Sequence, residues 1–174
     1  MAVSMYDISV AAYLQVLGAV EGFLKKGAEH CNKNDIDPAD LMETSLYSDM
    51  LPLRFQLISV VHHSLGTIKG MQSGTISTPP SMPDLDYAGS QKLIADTRAE
   101  VSKVAAATVN ALAGKDITFV IGDRKMPFVN EDFVLTFSLP NLHFHATTAY
   151  DILRMKGVPL GKRDYLGALR MKSQ

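Results

Sequence analysis

The sequence has one cysteine, no excess of either charge and no long apolar run. Cys31 stands alone among 174 residues, so no internal disulfide can form and nothing indicates an oxidising compartment. The 17 basic and 18 acidic residues give a net charge of −1, which is unsuited to holding a phosphate backbone. No stretch reaches the ~18 consecutive apolar residues of a membrane span, and no signal peptide is evident. We therefore expect a cytoplasmic protein with no nucleic acid and no membrane as partner.

The composition favours one packed domain over residues 1–174. The length matches the ~100–200 residues of a single domain. Hydrophobic residues make up 47% of the chain and charged residues 20%, which supports a core and argues against disorder. Cys31 could be a nucleophile, but a small apolar side chain late in the first helix is the favoured interpretation.

Four segments with apolar residues at intervals of three and four predict four long helices. Helices 1 to 4 are predicted over residues 5–32, 52–71, 84–113 and 131–156. Ser4 and Asp7 have the spacing of a capping box at the start of helix 1. Pro140 lies within helix 4 and predicts a kink, because proline removes a helical hydrogen bond.

Helix 2 contains two adjacent histidines that are predicted to face different ways. At ~100° per residue, the expected core stripe has His62 on its flank and His63 on the solvated side. That stripe consists of Ile58, Val61, Leu65 and Ile68. Gln56 shares a face with His63 rather than with His62, so its role is undefined at this point.

Residues 118–121 and 126–129 predict a small β-hairpin that turns at residues 122–123, before the last long helix. Pro127 lacks a backbone donor and predicts that the second strand is an edge. Three prolines within residues 74–84 predict an irregular connection between helices 2 and 3. The pattern as a whole predicts an all-α, antiparallel four-helix bundle with one hairpin.

One face of helix 4 is half polar although its neighbours are strongly apolar. Its members recur at intervals of four and three, and they are Val134, Ser138, Asn141, His145, Thr148 and Ile152. A buried polar group without a partner costs ~1–3 kcal/mol, so these side chains need partners, a ligand or a metal. The stripe therefore predicts a site inside the bundle.

Asn141 and His145 lie four residues apart and could share one divalent ion, with His62 as the third ligand. Imidazole suits zinc, nickel or iron, whereas an amide binds these ions weakly. The favoured alternative is that His145 is a hydrogen-bonded interior histidine and that Asn141 satisfies backbone groups freed by Pro140. Without a metal, His145 could act as a general base, since its unperturbed pKa is ~6.5.

Candidate ligand-binding residues lie on helices 1 and 4. Tyr13 is next to the apolar stripe of helix 1, and Thr148 belongs to the polar stripe of helix 4. Asp151 and Arg154 form an i, i+3 pair, for which a surface salt bridge is favoured over an anion clamp.

Residues 137–167, FSLPNLHFHATTAYDILRMKGVPLGKRDYLG, resemble the C-terminal signature of a domain-of-unknown-function family within the DinB-like (YfiT-like) proposed metalloenzymes. The segments SMYDISV at the start and DMLPL with Gln56 also match, so the resemblance spans nearly the whole chain. It implies a DinB-like up-down-down-up four-helix bundle, often paired as a homodimer.

Many DinB-like proteins hold a divalent metal such as zinc or nickel with three histidines, and some transfer or isomerise small thiols. The resemblance places His145 at the last metal histidine, Asn141 at the preceding one and His62 near the position on helix 2. This chain departs from the three-histidine pattern at Asn141. The resemblance implies a small-molecule enzyme, thiol-transferase-like or isomerase-like, with a pocket between helices 2 and 4. The alternative is a metal-free bundle that binds a ligand or assembles as a dimer without catalysis.

Overall fold

Four long helices dominate residues 3–172, which are the residues that the computed structural model describes. Helix 1 and helix 2 each pack against both helix 3 and helix 4, so the order around the core is 1, 3, 2, 4. Short helices at Pro38–Met42, Ala106–Asn110 and Lys162–Leu166 complete the helical part. The long helices consist of Asp7–Ala11 and Ala12–Asn34 (helix 1), Leu53–Val61, His62–Gly66 and Thr67–Ser73 (helix 2), Tyr87–Ser102 (helix 3), and Asn130–Phe133, Val134–Ser138 and Leu139–Met155 (helix 4).

The start of helix 1 has the predicted capping box. The Asp7 amide donates to the Ser4 hydroxyl at 3.2 Å, and the Ser4 amide donates to the Asp7 carboxylate at 3.1 Å. The Asp86 carboxylate caps helix 3 by accepting from the Gly89 amide. Helix 3 ends at Ser102, and not near residue 113 as predicted. Residues 103–105 turn the chain there, and Val109 of the next short helix is buried in the core.

Helix 2 is apolar on two sides, and the predicted core stripe is only half confirmed, since Ile58 and Ile68 are buried in the core. The side that faces the bundle carries Leu53, Leu57, Val60, Ser64, Thr67 and Met71, all buried. Val61 and Leu65 are half-buried on the other side. His63, predicted to be solvated, is therefore only 4% exposed. His62 is half-buried and lies on the side of Leu65.

Three of the long helices contain a five-residue π-helical segment, at Asp7–Ala11, His62–Gly66 and Val134–Ser138. The third segment continues directly into Leu139–Met155, so Pro140 lies in the interior of the continuous helix 4 that begins at Asn130. Proline lacks the backbone donor of a helical residue. The π segment therefore lies immediately before the position at which a disturbance was predicted.

A small three-stranded sheet packs against helix 4. Strands β2 (Asp116–Ile121) and β3 (Arg124–Val129) are antiparallel and occupy the position of the predicted hairpin. Strand β1 (Thr75–Ile76), which we did not predict, pairs in parallel with β2, so β3 is an edge strand that contains Pro127. The domain is therefore mostly helical with a small sheet, and not all-α.

Helix 1 supplies a large share of the core. Cys31 is 1% exposed, which agrees with the favoured interpretation of this residue as a small apolar side chain. By length and composition alone, Asp7–Asn34 is long and apolar enough to cross a membrane, and half of its apolar window is buried within the fold. A core helix passes the same test.

Two glycines of helix 1 provide a matched test of the packing. An added Cβ at Gly27 would lie 2.1 Å from the Tyr87 hydroxyl, which donates to the Leu24 carbonyl at 2.8 Å. Gly27→Ala should therefore lower the free energy of unfolding by about 1–3 kcal/mol. At Gly22 nothing lies within 4 Å, so Gly22→Ala should raise it by about 0.5–1 kcal/mol. Urea unfolding measures both, and effects of the same sign would contradict this account of the packing.

Candidate functional site

His145 lies between helices 2 and 4 and is only 9% exposed. Its Nδ1 is 2.8 Å from Oε1 of Gln56, and Nε2 of Gln56 donates to the Leu51 carbonyl at 2.7 Å. Because a carbonyl can only accept, the Leu51 contact fixes which way the Gln56 amide points. The Gln56 oxygen must then accept a proton from Nδ1 of His145. The neutral imidazole consequently carries its hydrogen on Nδ1 and a free lone pair on Nε2.

Aromatic rings surround this imidazole. The His63 ring is parallel to it within 10°, with ring centroids 5.7 Å apart. Phe55 and Phe144 contact it edge-on, with centroids at 5.8 and 5.3 Å. The His62 ring in turn contacts His63 at 5.0 Å. The result is a row of three imidazoles in mostly apolar surroundings.

Burial keeps the three imidazoles neutral. It lowers the pKa of His145 to about 4 and that of His63 to about 3, and the neighbouring histidines add to both shifts. Burial also lowers the pKa of His62. Nδ1 of His63 is buried and has no hydrogen-bond partner among the described residues. At neutral pH the row therefore offers nitrogen lone pairs that can accept a hydrogen bond, and it carries no positive charge that would attract an anion.

The Ser138 hydroxyl connects helices 1, 2 and 4 in the core. It lies 3.0 Å from the Tyr13 hydroxyl, 2.9 Å from the Thr67 hydroxyl and 2.9 Å from the His63 carbonyl. A carbonyl cannot donate, so Ser138 gives its one proton to His63 and accepts from both Tyr13 and Thr67. All three hydroxyl side chains are fully buried. We call this group the Ser138 hub.

The hub compensates for the π segment of helix 2. In a regular α-helix the Thr67 amide would bond to the His63 carbonyl, but here it donates to the Ser64 carbonyl. The Ser138 hydroxyl donates to the His63 carbonyl, which does not accept from the Thr67 amide. Each hub residue lies at or just after the end of a π segment, so all three π segments meet at this point.

The predicted metal ligands do not converge on one point. The Asn141 amide donates to the Phe137 carbonyl at 2.8 Å, within its own helix. The His62 ring contacts His63 and not His145. Residues 3–172 contain no group of three or more His, Cys, Asp or Glu side chains that could hold a metal ion, whereas a catalytic zinc site uses three protein ligands. His62, Asn141 and His145 therefore do not fit the predicted ion.

The four predicted ligand-binding residues do not form one site with His145. Tyr13 belongs to the Ser138 hub, and the Thr148 hydroxyl donates to the Phe144 carbonyl at 2.8 Å. Asp151 is half-buried and Arg154 is exposed. Arg154 lies nine residues beyond His145, which is ~13 Å along a helix.

The connection between His63, Gln56, Ser138 and Thr67 was not predicted from the sequence. A usable signal was present, because Gln56 and His63 share a helical face. That face lies beside Leu53 and Val60, which are both fully buried. Had this side been taken as the core side, both polar residues would have been predicted to point inward.

The comparisons with known proteins concern the fold and the family. Residues 5–166 match the family described as "Domain of unknown function (DUF1993)". A crystal structure of a DinB family member from Shewanella denitrificans superposes with a TM-score of 0.79. It is 24% identical and covers 97% of this chain and 95% of the other. No curated protein matches the chain.

The family match covers most of the chain, and the chain belongs to the DUF1993 family. Its fold is that of a DinB-like domain. At this level of identity the structural likeness establishes the fold alone, because one fold hosts many unrelated functions. The function has to be argued from the site.

Ser138→Ala should lower the free energy of unfolding by about 1–3 kcal/mol, because the His63 carbonyl loses its donor and two buried hydroxyls lose their acceptor. Thr148→Ala is the matched control, since it removes another buried hydroxyl of helix 4 that bonds only within its own helix. It should cost clearly less. Urea unfolding of both variants provides the comparison. Equal losses of unfolding free energy would show that the hub stabilises the fold no more than a hydroxyl bonded within its own helix.

Stability should fall as the pH drops from about 7 to about 5. Unfolded histidine has a pKa of ~6.5, whereas in the fold His145 has a pKa of about 4 and His63 of about 3. The unfolded chain thus binds more protons in this window, which favours unfolding. Above ~6.5 both states are neutral and the contribution is complete. Urea midpoints at both pH values test this. His63→Gln should show a smaller difference, and an unchanged wild-type midpoint would contradict the prediction.

Proposed function

We propose that this DUF1993 protein is a small-molecule enzyme in which Nε2 of His145 accepts a proton from the substrate, in the region between helices 2 and 4. The observation that carries the proposal is the Gln56–His145 hydrogen bond at 2.8 Å, with the Gln56 amide held by the Leu51 carbonyl. An oriented base with a defined tautomer is the arrangement that general base catalysis requires.

The reaction class is thiol transfer or isomerisation. Both start with removal of a proton, from S–H in the first case and from C–H in the second. The low pKa of His145 keeps the base form fully populated at neutral pH. As negative charge develops on the substrate beside it, the imidazolium form is stabilised and the proton affinity of Nε2 rises.

The second candidate is a bundle without catalysis, and the Ser138 hub is the observation that favours it. Every hub hydroxyl has a partner within the fold, so Ser138, the stripe residue that belongs to the hub, needs no ligand. The same reasoning does not extend to His63, whose Nδ1 is buried and unpaired within the described part of the chain. A buried polar atom without a partner calls for an explanation, and a catalytic role or a bound molecule is one.

His145→Gln should lower the rate of thiol conjugation by about 100-fold or more, the usual contribution of a general base. Glutathione with 1-chloro-2,4-dinitrobenzene is a suitable probe pair, followed by absorbance. His143→Gln is the control, because His143 is exposed on the same helix and contacts Tyr165 at 3.1 Å. It should leave the rate unchanged. A rate that disappears on chelation and returns with zinc or nickel would instead show a metal enzyme.

Nitrogen-15 NMR of the His145 imidazole tests the Gln56–His145 hydrogen bond without any substrate. Wild-type protein should show His145 protonated at Nδ1, and Gln56→Leu should lose this preference. If wild-type His145 carries its proton on Nε2, the proposed base has no lone pair where it is needed and the proposal fails.

A further inference from the structure

The second apolar side of helix 2 leaves an open groove. This groove runs along helix 2 and is bounded by helix 3 and by the proline-rich connection of residues 77–86. It consists of two adjoining cavities of about 220 and 260 Å³, which share Ile58, Pro80 and Met82 as walls. Val61, Leu65 and Leu93 line the second cavity.

The groove shares two walls with the histidine row. Phe55 lines the first cavity, and its ring contacts His145. His62 lines the second cavity, and its ring contacts His63. A molecule in the first cavity would therefore lie against Phe55, whose ring also contacts His145.

Arg54 and Lys69, the two cations that line the groove, each have a carboxylate partner. Arg54 pairs with Glu43 and also donates from Nε to the Leu85 carbonyl at 2.8 Å. Lys69 lies 3.4 Å from Glu100 and is 64% exposed. Placing an unpaired charge against apolar walls costs several kcal/mol, so the groove favours a neutral occupant.

We infer that this groove is the substrate subsite of the His145 centre and that it binds a neutral, largely hydrocarbon molecule. Typical sites for drug-sized ligands measure ~300–1,000 Å³, so each cavity takes one ring or a short chain and the two together take a longer molecule. The role as a substrate subsite rests on the proposed function. The binding preference rests on the shape and charge of the groove alone.

A matched pair of probes tests the preference. 2-Naphthol is neutral at pH 7, whereas 2-naphthoate has the same rings and one negative charge. Titration of the folded protein, followed by NMR of its methyl groups, should show 2-naphthol binding at least about tenfold more tightly, because the carboxylate would lose its hydration against apolar walls. The shifted methyl signals should belong to Ile58, Val61, Leu65, Met82 and Leu93.

Variants locate the site. Leu65→Trp fills the groove and should abolish binding of 2-naphthol. Met82→Trp fills the groove from the side of the proline-rich connection, and this variant replaces Leu65→Trp if the latter does not fold. Ile121→Trp on strand β2 is the control, because Ile121 is 46% exposed and lies outside the groove. Binding of 2-naphthol that survives both filling variants would overturn the inference, and so would equal affinity for 2-naphthoate. Methyl shifts that appear when an apolar peptide is added, but not with 2-naphthol, would overturn it as well.

His145→Gln separates this inference from the proposed function. The variant should still bind 2-naphthol in the groove, because His145 does not line it. Normal binding together with an unchanged conjugation rate would remove the proposed base but keep the binding site. Loss of binding in this variant would contradict the placement of the groove.

Discussion

The hydrogen bond from the Ser138 hydroxyl to the His63 carbonyl, at 2.9 Å, is the contact on which the site depends. It joins helix 4 to helix 2 at the carbonyl that lacks its α-helical donor. Tyr13 and Thr67 donate to the same oxygen, so the contact also sets the position of helix 1. Shifting any one of these helices along its axis would leave buried polar groups unpaired, which is costly in an apolar core.

The position of helix 2 in turn determines what meets His145. Gln56 and His63 lie on the side of helix 2 that the hub holds against helix 4. One of them bonds to His145 and the other stacks on it. Because the surroundings are aromatic and largely apolar, the imidazoles stay neutral, as the proposed proton transfer from a substrate with little charge requires. The apolar groove behind Phe55 agrees with that chemistry.

Asn141 and His145 belong both to the family resemblance and to the question of the site. The resemblance implies a histidine where this chain has Asn141, and that side chain is used to cap a carbonyl of its own helix. The Gln56 amide oxygen accepts from Nδ1 of His145, which fixes the orientation of the imidazole ring as such a bond does for a base or a metal ligand. In this chain the oriented imidazole has His63 as its nearest histidine. The fold is therefore shared with DinB-like proteins, while the site is argued from the side chains that this chain carries.

Much of the fold could be predicted from the sequence, because its signals are local. The capping box of Ser4 and Asp7, the four helices and the edge position of Pro127 each depend on residues a few positions apart. The polar stripe of helix 4 was visible as well, including Ser138 and His145. Only the helix 4 part of the site could be predicted, and the helix 2 part could not. Helix 2 has two apolar sides, and nothing within its own sequence says which of them faces the core.

That choice was made by the tertiary structure. Ser138 offers a donor where the His63 carbonyl needs one, and helix 3 with the proline-rich connection covers the remaining side only in part. Strand β1 likewise forms only because β2, more than forty residues later, lies beside it. The sequence by itself determined where helices form and which residues are polar within them. Contacts between distant segments decided which of those residues meet, because the free energy of burial and of paired hydrogen bonds exists only once the helices are packed together.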